Sequence, residues 1–173
     1  MRSNFMRKRR FVLTGILAAT CLLQNTELSL ATTTTTTFTV SITLTATCTI
    51  TSASALNFGN AGILNANIDQ TSTINVICSN GTTYNIGLDA GTGTGATVAT
   101  RKMTSGGNTV NYTLYSDTNR TTVWGNTIGT DTVSATGNGL AAGQNYTVYG
   151  RVPVQTSPAA GSYTDTITVT VTY

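Results

Sequence analysis

Phe38-Thr39-Val40-Ser41-Ile42-Thr43-Leu44-Thr45 and Thr166-Ile167-Thr168-Val169-Thr170-Val171-Thr172-Tyr173 are the two stretches on which the fold of this chain turns. In each, an apolar residue alternates with Thr or Ser. A two-residue period places every apolar side chain on one face of an extended strand, and β-branched Thr suits the half-solvated opposite face. Both stretches therefore read as strands with one buried face. Taken alone they fit the first and last strands of an ordinary β-sandwich. Neither has within itself the means to complete a sheet, and the pair suggests a subunit finished by its neighbour.

Upstream of the first stretch the sequence reads as an address. Arg7, Lys8, Arg9 and Arg10 precede the mostly apolar run Phe11 to Leu23, which is too short to span a bilayer. Ser29-Leu30-Ala31 offers small residues where a signal peptidase needs them. Residues 1–31 are thus expected to be a cleaved signal peptide, with the mature chain starting at Thr32. Cys21 lies in that leader without the Leu of a lipoprotein signal. No other run is long and apolar enough to be transmembrane, so no direct membrane insertion is expected.

The full chain carries a net charge of +3, but most of its cations lie in the leader. The mature part keeps Arg101, Lys102, Arg120 and Arg151 against Asp69, Asp89, Asp117, Asp131 and Asp165, a net charge of −1. So weak a charge offers no footprint for nucleic acid or an anionic membrane. The Arg101-Lys102 pair reads as a solvated turn. Cys48 and Cys78 are the two cysteines left, and in an exported chain they most simply pair. Closing that loop stabilises a fold by about 3 to 4 kcal/mol in the chain-entropy model.

Catalytic chemistry finds little to work with. The chain has no His, so Ser-His and Cys-His nucleophiles lack their base and a metal site lacks ligands. The five Asp residues are scattered one per turn, where Asp commonly bonds its own backbone. No cofactor and no enzymatic activity are expected. Gly91-Thr92-Gly93-Thr94-Gly95 reads as a loop, because its spacing is not that of a phosphate cradle and no amphipathic helix follows. The sequons at Asn80, Asn111, Asn119 and Asn145 are expected by chance in a chain so rich in Asn and Thr.

Thr32 to Thr37 is a low-complexity run without an apolar face, read as a flexible start to the mature chain. Cys48 and Ile50 follow the first stretch, and further strands are expected over Ile74-Val76-Cys78, Tyr84-Ile86-Leu88 and Val110-Tyr112-Leu114, and from Tyr146 through Val148, Gly150 and Val152 to Val154. Leu56-Asn57-Phe58-Gly59 is a short apolar patch. Asn80-Gly81 tolerates the positive φ of a tight reversal and predicts a hairpin. Trp124 to Gly143 reads as a polar, Gly-punctuated stretch. About seven strands without helical periodicity give an all-β sandwich in one domain.

In order and spacing, several segments resemble the spore coat protein U domain family, the subunit type of archaic, Csu-type chaperone-usher pili. They are Thr47-Cys48-Thr49-Ile50, Leu56-Asn57-Phe58-Gly59, Ile74-Asn75-Val76-Ile77-Cys78, Tyr112-Thr113-Leu114-Tyr115-Ser116-Asp117 with Arg120-Thr121 and Trp124-Gly125, Val148-Tyr149-Gly150-Arg151-Val152-Pro153, and the ending Gly161 to Tyr173. The resemblance implies an incomplete immunoglobulin-like β-sandwich lacking its last strand, completed by a donor strand from the next subunit. Residues 32–46 would be the N-terminal donor segment and 47–173 the pilin domain. Phe38, Val40, Ile42 and Leu44 would be the donor side chains, while Ile167, Val169, Val171 and Tyr173 would lie on the strand bordering the acceptor groove. Implied partners are neighbouring pilin subunits, a periplasmic chaperone and an outer-membrane usher, and the destination is the cell surface of a Gram-negative bacterium. A fibre of such subunits would support adhesion and biofilm formation. The competing readings are a coat structural protein and a secreted, carbohydrate-binding module using Trp124, Tyr112 or Tyr149.

Overall fold

The structure is a computed structural model that describes residues 30–173. All but the last two residues of the expected signal peptide lie outside the described residues. The chain divides into two units, Met1–Ser41 and Ile42–Tyr173. In the first, residues 30–41 carry no strand.

In the second unit eight strands form two antiparallel sheets. They are β1 (Cys48–Ala53), β2 (Ile68–Cys78), β3 (Thr83–Leu88), β4 (Arg101–Ser105), β5 (Asn108–Tyr115), β6 (Val133–Thr136), β7 (Gln144–Val152) and β8 (Val169–Thr172). One sheet runs β1-β2-β7-β5-β4 and the other β6-β3-β8. The described residues are all-β. Alternation drives the packing: Ile74, Val76 and Cys78 of β2, Val110, Tyr112 and Leu114 of β5, and Val148 and Val152 of β7 turn inward from the larger sheet. Tyr84, Ile86 and Leu88 of β3 meet them from the smaller one. The result is an immunoglobulin-like sandwich.

Several expectations from the sequence need correction. The Asn80-Gly81 turn forms, with the Thr82 amide donating to the Ser79 carbonyl at 3.1 Å and Gly81 at φ +76°. It is not a hairpin. Both edges of β2 are taken, by β1 and β7, so the turn carries the chain across to the other sheet. There β3 pairs with β6, a short strand inside the stretch that reads as polar and irregular. Phe38–Thr45 forms no strand, because a period supplies a face but not a partner for the backbone groups. The C-terminal ladder covers only Val169–Thr172, and Val154 falls beyond the end of β7 and is exposed.

Arg101 is the largest departure. Far from a solvated turn, it opens β4 and is completely buried. Its guanidinium donates to the carbonyls of Asp89 (2.7 Å), Val98 (2.8 Å), Leu88 (3.0 Å) and Trp124 (2.7 Å). Burial lowers its pKa from the ordinary value. These four bonds tie the end of β3 to β4 and to the strandless segment around Trp124. Trp124 is itself buried and donates its indole N–H to the Ile86 carbonyl at 2.8 Å.

Candidate functional site: an open cleft between the sheets

The two sheets are unequal, five strands against three. Here a cleft of about 1240 Å³ opens between them. Its floor is the inner face of the five-stranded sheet, with Ile74, Val148, Val152, Val110, Tyr112 and Leu114. Leu88, Ile167 and Val169 form the opposite wall. The rim is made by the end of β1 with the segment Ser54 to Gly62 that follows it, and by Ser157 to Asp165.

The wall carrying Ile167 and Val169 is firmly seated. Thr164 exchanges two backbone hydrogen bonds with Thr104, at 2.8 and 3.1 Å, which attaches the segment to β4. The Asp165 carboxylate accepts from the Thr92 amide (2.8 Å), the Thr92 hydroxyl (2.9 Å), the Thr166 amide (2.8 Å) and the Tyr112 hydroxyl (2.7 Å). Asp89 Oδ1 accepts from the Thr168 amide at 2.9 Å and the Gly91 amide at 3.0 Å. From there β8 pairs with β3, Val169 opposite Leu88 and Thr172 opposite Asn85. Among the described residues β8 has a partner on that side only.

These contacts set the local ionisation. Burial raises the pKa of Tyr112, and its hydrogen bond to Asp165 raises it further, so the phenol stays protonated as a donor. At Asp89 burial opposes the charge, yet the hydrogen bonds from Thr168 and Gly91 outweigh it and the pKa is lowered.

Of the residues singled out from the sequence, Ile167 and Val169 line the cleft. Val171 packs half-buried against the core, and Tyr173 is 60% exposed. Phe38, Val40, Ile42 and Leu44 are 82–87% exposed. Cys48 and Cys78 form the disulfide, directly opposite each other in the β1–β2 ladder. Trp124 and Tyr112 are buried, and Tyr149 lies beneath the Arg120 guanidinium, 5.7 Å from its centroid. A carbohydrate platform built on these three finds two of them inside the core.

Sequence reasoning missed Asp89, Asp165 and Arg101, and also Leu64, which is buried and lines the cleft. Asp117 and Asp131 do bond their own turns, through the Thr121 and Thr122 amides and the Thr127 amide. Asp89 and Asp165 bond locally as well, at the Gly91 and Thr166 amides, but they also reach backbone 79 and 73 residues away. One signal was available for Asp165: it places a carboxylate immediately ahead of the alternating stretch Thr166–Tyr173.

The geometry defines a class, a β-sandwich open along one side of its core. Comparison supplies the family. The model of the spore coat protein U domain matches residues 34–170, and the chain belongs to that family. It is 36% identical over 89 residues to Protein U of Myxococcus xanthus, a match covering 50% of this chain and 48% of that protein. It also resembles a solved chain of the CsuC-CsuE chaperone-tip adhesion subunit pre-assembly complex from the archaic chaperone-usher Csu pili of Acinetobacter baumannii. There the TM-score is 0.54 and the identity 28%, over 76% of this chain and 40% of the other. This chain thus spans less than half the length of either relative.

Proposed function

We propose that this chain is a structural subunit of a surface fibre of the chaperone-usher type, not an enzyme, and that it polymerises by donating residues 32–46 to the cleft of a second copy or a related subunit. Phe38, Val40, Ile42 and Leu44 enter the neighbour's cleft, and the donor backbone adds to the free side of β8. Residues 1–31 direct export and are removed, and 47–173 form the pilin domain.

The observation that carries this reading is the open cleft, floored by core side chains. An apolar-lined cleft of this size on a folded domain calls for a partner. The occupant is argued from this chain itself: four side chains on one face of an extended segment match a groove with one free strand edge and apolar walls. Burying four such side chains contributes on the order of 6 to 12 kcal/mol before ordering costs. An unpaired edge beside an apolar cleft also invites misassembly, which calls for a periplasmic chaperone to cover the cleft until an usher at the outer membrane exchanges it for the donor. The Csu complex, a chaperone with a pilus subunit before assembly, supports that partner. Adhesion and biofilm formation follow as properties of the fibre.

Expression of the chain in a periplasm without other fibre components tests this. Self-polymerisation, aggregation or degradation is expected, read by size-exclusion chromatography and electron microscopy. A stable, soluble monomer would favour the secreted binding module instead.

A further inference from the structure

Gly150 sits on β7 between Val148 and Val152 and faces the interior with them, all three buried. It leaves a notch in the floor of the cleft. The notch is filled from across the rim: a Cβ at Gly150 would lie 2.7 and 3.0 Å from the two terminal carbons of Leu56 and 3.0 Å from Phe58 Cζ. Phe58 also meets Tyr112 edge to face, with centroids 6.1 Å apart. Leu56 and Phe58 both line the cleft, so at this level a ligand meets their side chains and not the sheet.

The segment bearing them is pinned on both sides. The Ser54 amide donates to the Thr73 carbonyl at 2.9 Å, and the Thr73 amide donates to Ser54 Oγ at 2.8 Å. At the far end the Leu64 amide donates to Ser157 Oγ at 2.8 Å, and the Gln155 amide to the Leu64 carbonyl at 3.1 Å. Between these anchors the Gly59 amide closes a turn on Asn57 Oδ1 at 2.8 Å, with Gly59 at φ +77°. A pinned segment with two apolar side chains seated in a glycine notch is a fixed stop.

We propose that Leu56 and Phe58, seated on Gly150, are specificity-determining residues that limit the size of one donor side chain the cleft accepts. The inference rests on the donor-strand reading. It predicts that one donor position tolerates an aliphatic side chain and rejects a ring, because the stop cannot retreat into a sheet already in contact with it. Shortening Leu56 or Phe58 relaxes the limit. Adding a Cβ beneath the stop pushes Leu56 and Phe58 outward and tightens it.

The test uses the mature chain refolded with an excess of synthetic peptides. One peptide has the sequence of residues 38–45, and three carry Val40→Phe, Ile42→Phe or Leu44→Phe. Dissociation constants are measured for the native chain, Phe58→Ala, Leu56→Ala and Gly150→Ala, with near-ultraviolet circular dichroism confirming the fold of each. The native chain is expected to bind one ring-bearing peptide about tenfold or more weakly than the parent. That penalty should vanish in Phe58→Ala or Leu56→Ala and grow in Gly150→Ala. Parent-peptide binding with no ring penalty, or with the same penalty in every folded variant, overturns the size limit alone. Failure of the native chain to bind the parent peptide overturns the donor reading and this inference with it.

Discussion

Phe38–Thr45 and Thr166–Tyr173 carry the same alternation, yet Phe38, Val40, Ile42 and Leu44 are 82–87% exposed while Ile167, Val169 and Val171 are half-buried against the core. What separates them is partners. The C-terminal stretch has β3 on one side, Thr104 at its start and two carboxylates holding its amides. The N-terminal stretch has no ladder, although its apolar face is equally regular. An alternating pattern thus states a demand for a buried face without saying which molecule meets it. In this chain the unmet demand and the unfilled cleft are of one kind.

The comparison breaks first if the seat of the C-terminal stretch is removed. Arg101→Met strips the donors from four carbonyls, two of which, Leu88 and Asp89, lie where β3 meets β8. Leaving buried acceptors unsatisfied should cost about 4 kcal/mol or more. Urea unfolding of the peptide-complemented chain would measure it, and an unchanged midpoint would refute the role given to Arg101.

A somewhat smaller loss is expected at the root of the N-terminal stretch, where the Ser79 amide donates to the Thr47 carbonyl at 2.9 Å beside the disulfide. Cys48→Ala with Cys78→Ala should cost about 3 to 4 kcal/mol by releasing a loop in the unfolded chain. The same urea titration reads it.

The gentlest perturbation is pH. Because the folded pKa of Asp89 lies below the ordinary 3.8, its contribution is complete above that value and is lost as pH falls through the folded pKa. Acidification below 3.8 should therefore loosen Thr168 and the cleft wall before it unfolds the sandwich. The protection factor of the Thr168 amide should fall below that pH in the native chain, and in Asp89→Asn it should be low already at neutral pH.

Most of the sheet content was legible because half-buried antiparallel strands keep a period of two. Ile74-Val76-Cys78, Tyr84-Ile86-Leu88 and Val110-Tyr112-Leu114 fall inside strands with those residues buried. Edges were not legible. The Asn80-Gly81 turn has the same local chemistry whether it joins strands of one sheet or two, and only the occupancy of β2's edges decides. β6 is four residues with two half-buried side chains, too short for a period to show. Arg101 escaped notice because a cation reads as solvent-facing unless the carbonyls that solvate it are known, and these lie 3 to 23 residues away. Of the cleft, the C-terminal wall was visible in the alternation, whereas its floor is shared by three strands that no local window joins.

The central claim is that the first stretch is made for another copy's cleft, and adjacent residues on opposite faces test it. Ile42→Asp puts a carboxylate where the apolar side chain would be buried, at a cost of several kcal/mol, while Thr43→Asp adds the same charge to the solvent face. The account predicts that Ile42→Asp abolishes fibres seen by electron microscopy while the subunit still folds and still binds its chaperone, and that Thr43→Asp leaves fibres nearly intact. Loss of folding and chaperone binding along with fibres in Ile42→Asp would place that side chain in the subunit's own core and contradict the account.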